Sequence, residues 1–294
     1  EVTVLRRGAL AGSGNVSDHT PESLAKLMVG SEPPSASLER KSHAHDAVGL
    51  ELEDVCADDD LGLPVLSRIS LKVRAGEILG IAGVSGNGQE ELVEVLAGQR
   101  ALGSGTLKVA GKAYTPTRSQ IRQNRVRLLP EAPLRNACVS GMSVAENIGF
   151  RCFDEPGFTL AGWAVSKGSL RRKAVKSIRE FRIKTPGPEA PIGGLSGGNV
   201  QRAVLARELD GDVAVLIAAN PCFGLDFAAV AEIRSRIVAA RNAGTAVLLV
   251  SADLDEVFAL SDRIVVMSDG QVVYETPAES ADVSEIGRHM AGHH

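Results

Sequence analysis

The stretch that most constrains the fold runs Gly83-Val84-Ser85-Gly86-Asn87-Gly88-Gln89-Glu90-Glu91-Leu92. It follows an apolar run, Ile78-Leu79-Gly80-Ile81-Ala82, and leads into residues with helical spacing. A buried strand, a glycine turn and a helix N-terminus together leave backbone amides open to an anion. The glycines keep the spacing of a phosphate-binding loop, G-x-x-x-x-G-K-[ST]. Yet Gln89 stands at the lysine position and Glu90 at the hydroxyl position. Gln89 is neutral, and Glu90 would set a negative charge beside a polyanion. No lysine between Lys72 and Lys108 can substitute locally. Taken alone, Gly83, Ser85, Gly86, Asn87 and Gly88 read equally well as a nucleotide cradle or as a tight turn.

The rest of the chain must cover such a unit, and it is long enough to do so. Its 294 residues, 44% hydrophobic with a net charge of −4, describe a globular chain with a sizeable core. Aromatic residues make up only 3%, which argues against base-stacking platforms. No apolar run reaches the roughly 18–20 residues needed to span a bilayer, and no secretory leader pattern opens the chain. Cys56, Cys138, Cys152 and Cys222 lack CxxC spacing and read as buried thiols in a reducing, cytoplasmic setting.

Strand patterns at 49–55, 68–74, 78–82, 105–109, 126–129, 214–219, 245–250 and 263–267 alternate with helical patterns. The helices are expected at 88–97, 169–181, 198–208, 226–241 and 253–259, with a helical insertion near 143–195. Early antiparallel strands followed by β/α alternation define an α/β fold. Residues 2–30 also echo 264–292 without a gap: Val4 matches Val266, Leu5 Met267, Gly8 Gly270, Leu24 Ile286, Met28 Met290 and Gly30 Gly292. Each copy reads as strand, glycine turn, strand and short amphipathic helix. The echo is either chance hairpin similarity or the closing segment, 1–30, of a preceding truncated unit. Residues 31–47 are rich in Pro, Ser and charge and read as a linker, with His43 and His45 solvated rather than metal-bound. No metal site is expected.

A second motif settles the class. Leu195-Ser196-Gly197-Gly198-Asn199, followed by Gln201, opens a helix with small residues that leave amides and a hydroxyl accessible. Here the chain resembles the ATP-binding cassette (ABC) family, whose signature is LSGGQ. The family's other motifs follow in order. Within Ala214–Asp226, the position of the Mg²⁺-binding aspartate holds Ala219 and that of the catalytic glutamate holds Asn220, while Gly224-Leu225-Asp226 keeps the succeeding loop. Ala252 occupies the switch histidine position, and no histidine lies between His45 and His289. Glu131, in Leu128-Leu129-Pro130-Glu131-Ala132-Pro133, stands where the family has a glutamine.

The resemblance covers 48–292 and implies an ABC-type P-loop nucleotide-binding domain over 48–294. That domain has an antiparallel β subdomain, a mostly parallel core sheet and a helical subdomain. It is nearest to the C-terminal cassette of tandem ATP-binding proteins of bacterial sugar and nucleoside importers. Pro-Glu-Ala-Pro departs from the Pro-Glu-Asp-Arg found there, and Glu90 from a serine. Cassettes of the family pair head to tail, each ATP lying between one loop and the other's signature. This implies that the chain's own site is inert, binding ATP weakly at most. It would supply its signature in trans to a partner cassette that holds ATP and Mg²⁺. An integral-membrane permease and, indirectly, a solute-binding protein are the further partners implied. The implied location is the cytoplasmic face of the membrane. The alternative is a non-hydrolytic regulatory or scaffold module derived from a cassette. A basic run, Arg171, Arg172, Lys173, Lys176, Arg179, Arg182 and Lys184, lacks interleaved aromatics and reads as a solvated helix face rather than a nucleic-acid surface.

Overall fold

The computed structural model describes residues 1–6, 8–29, 39–40, 46–161 and 163–292. The elements, in order, open with β1 (Val2–Arg6), β2 (Ala9–Gly14) and α1 (Pro21–Val29). Next come β3 (Val48–Asp58), β4 (Pro64–Arg74), β5 (Ile78–Ala82), α2 (Gln89–Ala97), β6 (Ser104–Val109) and β7 (Lys112–Ala113). The middle of the chain holds α3 (Arg118–Gln123), β8 (Val126–Leu129), α4 (Pro133–Asn136), α5 (Val144–Gly149), β9 (Thr159–Leu160), β10 (Ala164–Val165) and α6 (Lys167–Glu180). The last part holds α7 (Gly197–Glu208), β11 (Val215–Ala219), α8 (Phe227–Asn242), β12 (Ala246–Val250), α9 (Leu254–Leu260), β13 (Arg263–Ser268), β14 (Gln271–Pro277) and α10 (Val283–Met290).

A six-stranded sheet in the order β14-β13-β5-β12-β11-β8 forms the core, parallel except for its edge strand β14. A separate antiparallel sheet has the order β4-β3-β6-β7. The near-continuous apolar runs of β5, β11 and β12 follow from burial on both faces. Alternation then sorts their side chains: Leu79, Ile81, Ile217 and Leu248 meet the antiparallel sheet and α2. Ile78, Leu216, Val247 and Leu249 meet the helices of the other face. The expected helical insertion is α5, the β9–β10 hairpin and α6. Its first helix is fixed by a capping box in which Ser143 and Glu146 satisfy each other's backbone amides.

The two echoing segments share one pairing register. Val2 opposes Gly14 as Ile264 opposes Thr276, Val4 opposes Gly12 as Val266 opposes Tyr274, and Leu5 opposes Leu10 as Met267 opposes Val272. The register irregularity falls at matching places, Val4/Leu5 and Val266/Met267. Of the expected linker, 31–38 and 41–45 lie outside the described residues, including His43 and His45, as do Gly30, His293 and His294. Arg40 is anchored: its guanidinium donates to the carbonyls of Ala259 and Ser261 at 2.6 and 2.7 Å, behind the last turn of α9. All four cysteines are free, but only Cys152 is fully buried, which corrects the expectation that all would be.

Candidate functional site

The glycine loop leaves the fully buried β5 and enters α2 through Gly88, whose φ of 96° serves as a left-handed N-cap. Gly86, at φ 92°, makes the other left-handed step. The conformation is that of an anion cradle, and the amides of Gly86, Gly88 and Gln89 have no protein acceptor among the described residues. Its side chains, however, close on themselves. Gln89 is buried and folds back: its Oε1 accepts from Asn87 N at 3.1 Å and its Nε2 donates to Val84 O at 3.2 Å. A Cβ on Gly83 would lie 2.2 Å from that Nε2, so glycine there makes room for the glutamine. Asn87 Oδ1 accepts from Asp269 N at 2.9 Å and Asn87 O from Gly270 N at 3.2 Å, tying the loop to the β13–β14 turn.

A cleft of about 330 Å³ brings together Gly83, Ser85, Gly86, Gln89, Glu90, Glu131, Ala219, Asn220 and Ala252. Three acidic side chains, Glu90, Glu94 and Glu131, and a single cation, Arg135, line it. Asn220 bridges the cleft's far wall. Its Nδ2 donates to Glu131 Oε2 at 2.8 Å, and its Oδ1 accepts from Ala252 N at 2.8 Å. It does so from a left-handed backbone, φ 41°, which asparagine tolerates better than most residues. Glu131, Asn220 and Ala252 are thus joined through one amide. Neither Ala219 nor Asn220 offers a carboxylate for Mg²⁺, no lysine lines the cleft among the described residues, and Glu90 and Glu131 repel phosphate. Mg²⁺–ATP chemistry does not fit this cleft.

The signature segment lies outside it. Ser196 is the exposed N-cap of α7, and its Oγ accepts from Asn199 Nδ2 at 2.8 Å, which leaves its own O–H free to donate. Asn199 is itself held, with Oδ1 accepting from Lys184 N at 2.7 Å. Gly197 is exposed, whereas Gly198 is buried, and a Cβ there would meet Ala229 Cβ at 3.1 Å. Gln201, which the resemblance groups with the signature, turns inward. It is 2% exposed and donates through Nε2 to Pro221 O at 3.0 Å. It therefore links α7 to the segment carrying Asn220. Asp226 caps α8, accepting from Ala229 N at 2.8 Å. On either side of Gly224-Leu225-Asp226, Phe223 and Phe227 are exposed, a feature the sequence pattern did not single out.

Comparison with known proteins places the chain. The family profile described as ABC transporter matches residues 66–222. The glucose import ATP-binding protein TsgD13 of Haloferax volcanii is 41% identical over 294 residues, covering 99% of this chain and 53% of that protein. The guanosine import ATP-binding protein NupO of Bacillus subtilis is 35% identical over 292 residues, covering 99% and 57%. A solved ATP-binding subunit of an ABC transporter aligns with TM-score 0.66 at 18% identity, over 83% of this chain and 99% of that one. A bacterial ABC transporter cassette solved as a dimer aligns at 0.65 and 20% identity, over 78% and 98%. The chain belongs to the ABC transporter family and has its cassette fold, with the antiparallel subdomain and mostly parallel core sheet expected. It spans about half the length of the curated relatives it matches. Among the described residues no helix is long and apolar enough to cross a membrane.

Proposed function

We propose that this chain is the non-hydrolytic cassette of a sugar or nucleoside importer, and that its signature completes an ATP site held by a partner cassette. The observation that carries this reading is the contrast between two polar groups. Ser196 is exposed, oriented by Asn199 and left with a free donor. Asn220 has its amide oxygen and one amide N–H engaged inside an acidic cleft. A preorganised donor at a helix N-terminus suits charge developing on a phosphate presented from outside. Residues 1–30 are then the closing segment of the partner cassette, and a permease anchors the pair at the membrane's inner face. The names of the relatives, importers of glucose and guanosine, support the substrate class.

In the assembled two-cassette protein, Ser196→Arg should lower ATP hydrolysis by roughly 10²-fold or more. Asn220→Ala should change it little. Steady-state turnover measured on both variants decides the matter. The reverse ranking would assign the active site to this chain's own cleft.

A further inference from the structure

A second cavity, about 270 Å³, opens behind the cleft and shares Gln99, Leu128, Pro130 and Asn136 with it. Three arginines, Arg127, Arg151 and Arg207, line it, and no acidic residue does. The nearest counter-charge is Glu208, which has no exposed surface. It is already shared, with Oε2 2.8 Å from Arg151 Nη2 and Oε1 2.7 Å from Arg207 Nε. Arg207 further donates to Ala137 O at 2.7 Å.

Arg127 has no such partner. Its Nη1 reaches only the carbonyl of Val126, at 3.0 Å, and its Nε is buried without any acceptor among the described residues. Burial pulls its pKa down, Glu208, Asp210 and Glu155 oppose this in part, and the like charge of Arg151 adds to it. Arg127 as a whole is half-buried, but a covered N–H such as its Nε, left without an acceptor, is costly. The lining thus carries three arginines and no acidic residue, and each guanidinium has a planar fork matched to oxyanions.

We propose that this pocket is a binding site for a phosphate group, either free or carried by a small organic phosphate. The phosphate oxygens would accept from the Nη donors of Arg127 and from those donors of Arg151 and Arg207 that Glu208 and the backbone carbonyls leave unused. The volume exceeds that of a lone phosphate, and the apolar wall of Leu96, Ile121 and Phe150 can hold a compact organic body. Because Pro130 and Asn136 also line the cleft, an occupant would stiffen the segment that carries Glu131.

The test is calorimetry on the full chain in a phosphate-free buffer, with inorganic phosphate, ribose 5-phosphate and ribose as probes. Saturable binding of both phosphates but not ribose is expected, weakened about tenfold or more by Arg127→Ala and less by Arg127→Lys. Binding of ribose 5-phosphate alone would identify the organic source. Arg127→Ala breaks no ion pair, and circular dichroism will verify its fold. Failure of both phosphates to bind, or equal binding to Arg127→Ala, overturns the proposal. Since binding is read on this chain by itself, the result is separate from that of the transport reading.

Discussion

The two hairpins at the ends of the chain have one register and two fates. In β13–β14 the inner strand pairs in parallel with β5, and Val265, Val266 and Met267 have no exposed surface. In β1–β2 the pair stands as a two-stranded sheet; Val4 is buried, but Leu5 and Leu10 are 67% and 65% exposed. Gly8 and Gly270 both need positive φ, 80° and 69°. A Cβ on Gly8 would meet nothing, whereas one on Gly270 would lie 2.2 Å from Val65 O. Turn chemistry and alternation therefore set strand pairing locally, while the surrounding sheet supplies the buried area.

The largest expected difference is in amide exchange. A lone hairpin is marginal in water, whereas a central strand opens only with the whole domain. Protection in β13 should exceed that in β1 by a factor of about 10³ or more, measured by exchange mass spectrometry on the intact chain. Equal protection would break the comparison and mean that β1–β2 completes a sheet with another molecule.

Next comes side-chain truncation at matched positions. Met267→Ala should destabilise the chain by about 2–5 kcal/mol, since it empties a fully buried site. Leu5→Ala should fall within about 0.5 kcal/mol, as exposed substitutions do. Urea denaturation followed through the main transition distinguishes them. A large effect of Leu5→Ala would place a hidden partner over that face.

The same contrast explains what could be read from the sequence. The core strands were legible because burial on both faces forces continuous apolar runs, as in Ile78–Ala82 and Ala246–Val250. The glycine loop and the signature were legible because backbone conformation and close approach demand specific residue types. Short elements such as α3, α4 and the β9–β10 hairpin carry too few turns to show a period. The bridge from Glu131 through Asn220 to Ala252 joins residues far apart in sequence, and nothing local announces it. The inward contact of Gln201 is hidden for a related reason. Gln201 lies close to the signature in sequence, but a residue five positions along a helix from Ser196 points to another side, here toward Pro221.

The smallest expected effect comes from a helix–strand contact that the two hairpins build with different side chains. Tyr274 stacks on His289, with ring centroids 4.4 Å apart and planes 11° from parallel, and its hydroxyl donates to Glu285 Oε2 at 3.0 Å. The matching positions in the first copy are Gly12, Leu27 and Ser23, and a Cβ on Gly12 would meet Leu27 Cδ1 at 3.1 Å. Both copies thus lay the helix over the second strand at one point, once through an aromatic stack and once through a methyl on bare backbone. Tyr274→Phe keeps the stack and removes only the hydrogen bond to a charged, partly exposed carboxylate. It should cost about 0.5–1.5 kcal/mol. Gly12→Ala asks Leu27, a flexible side chain, to move by a few tenths of an ångström, and should alter stability by no more than about 0.5 kcal/mol. Thermal denaturation of both variants tests the pair. A cost at Gly12 larger than at Tyr274 would show that the first hairpin is packed as tightly as the second, against the difference drawn between them.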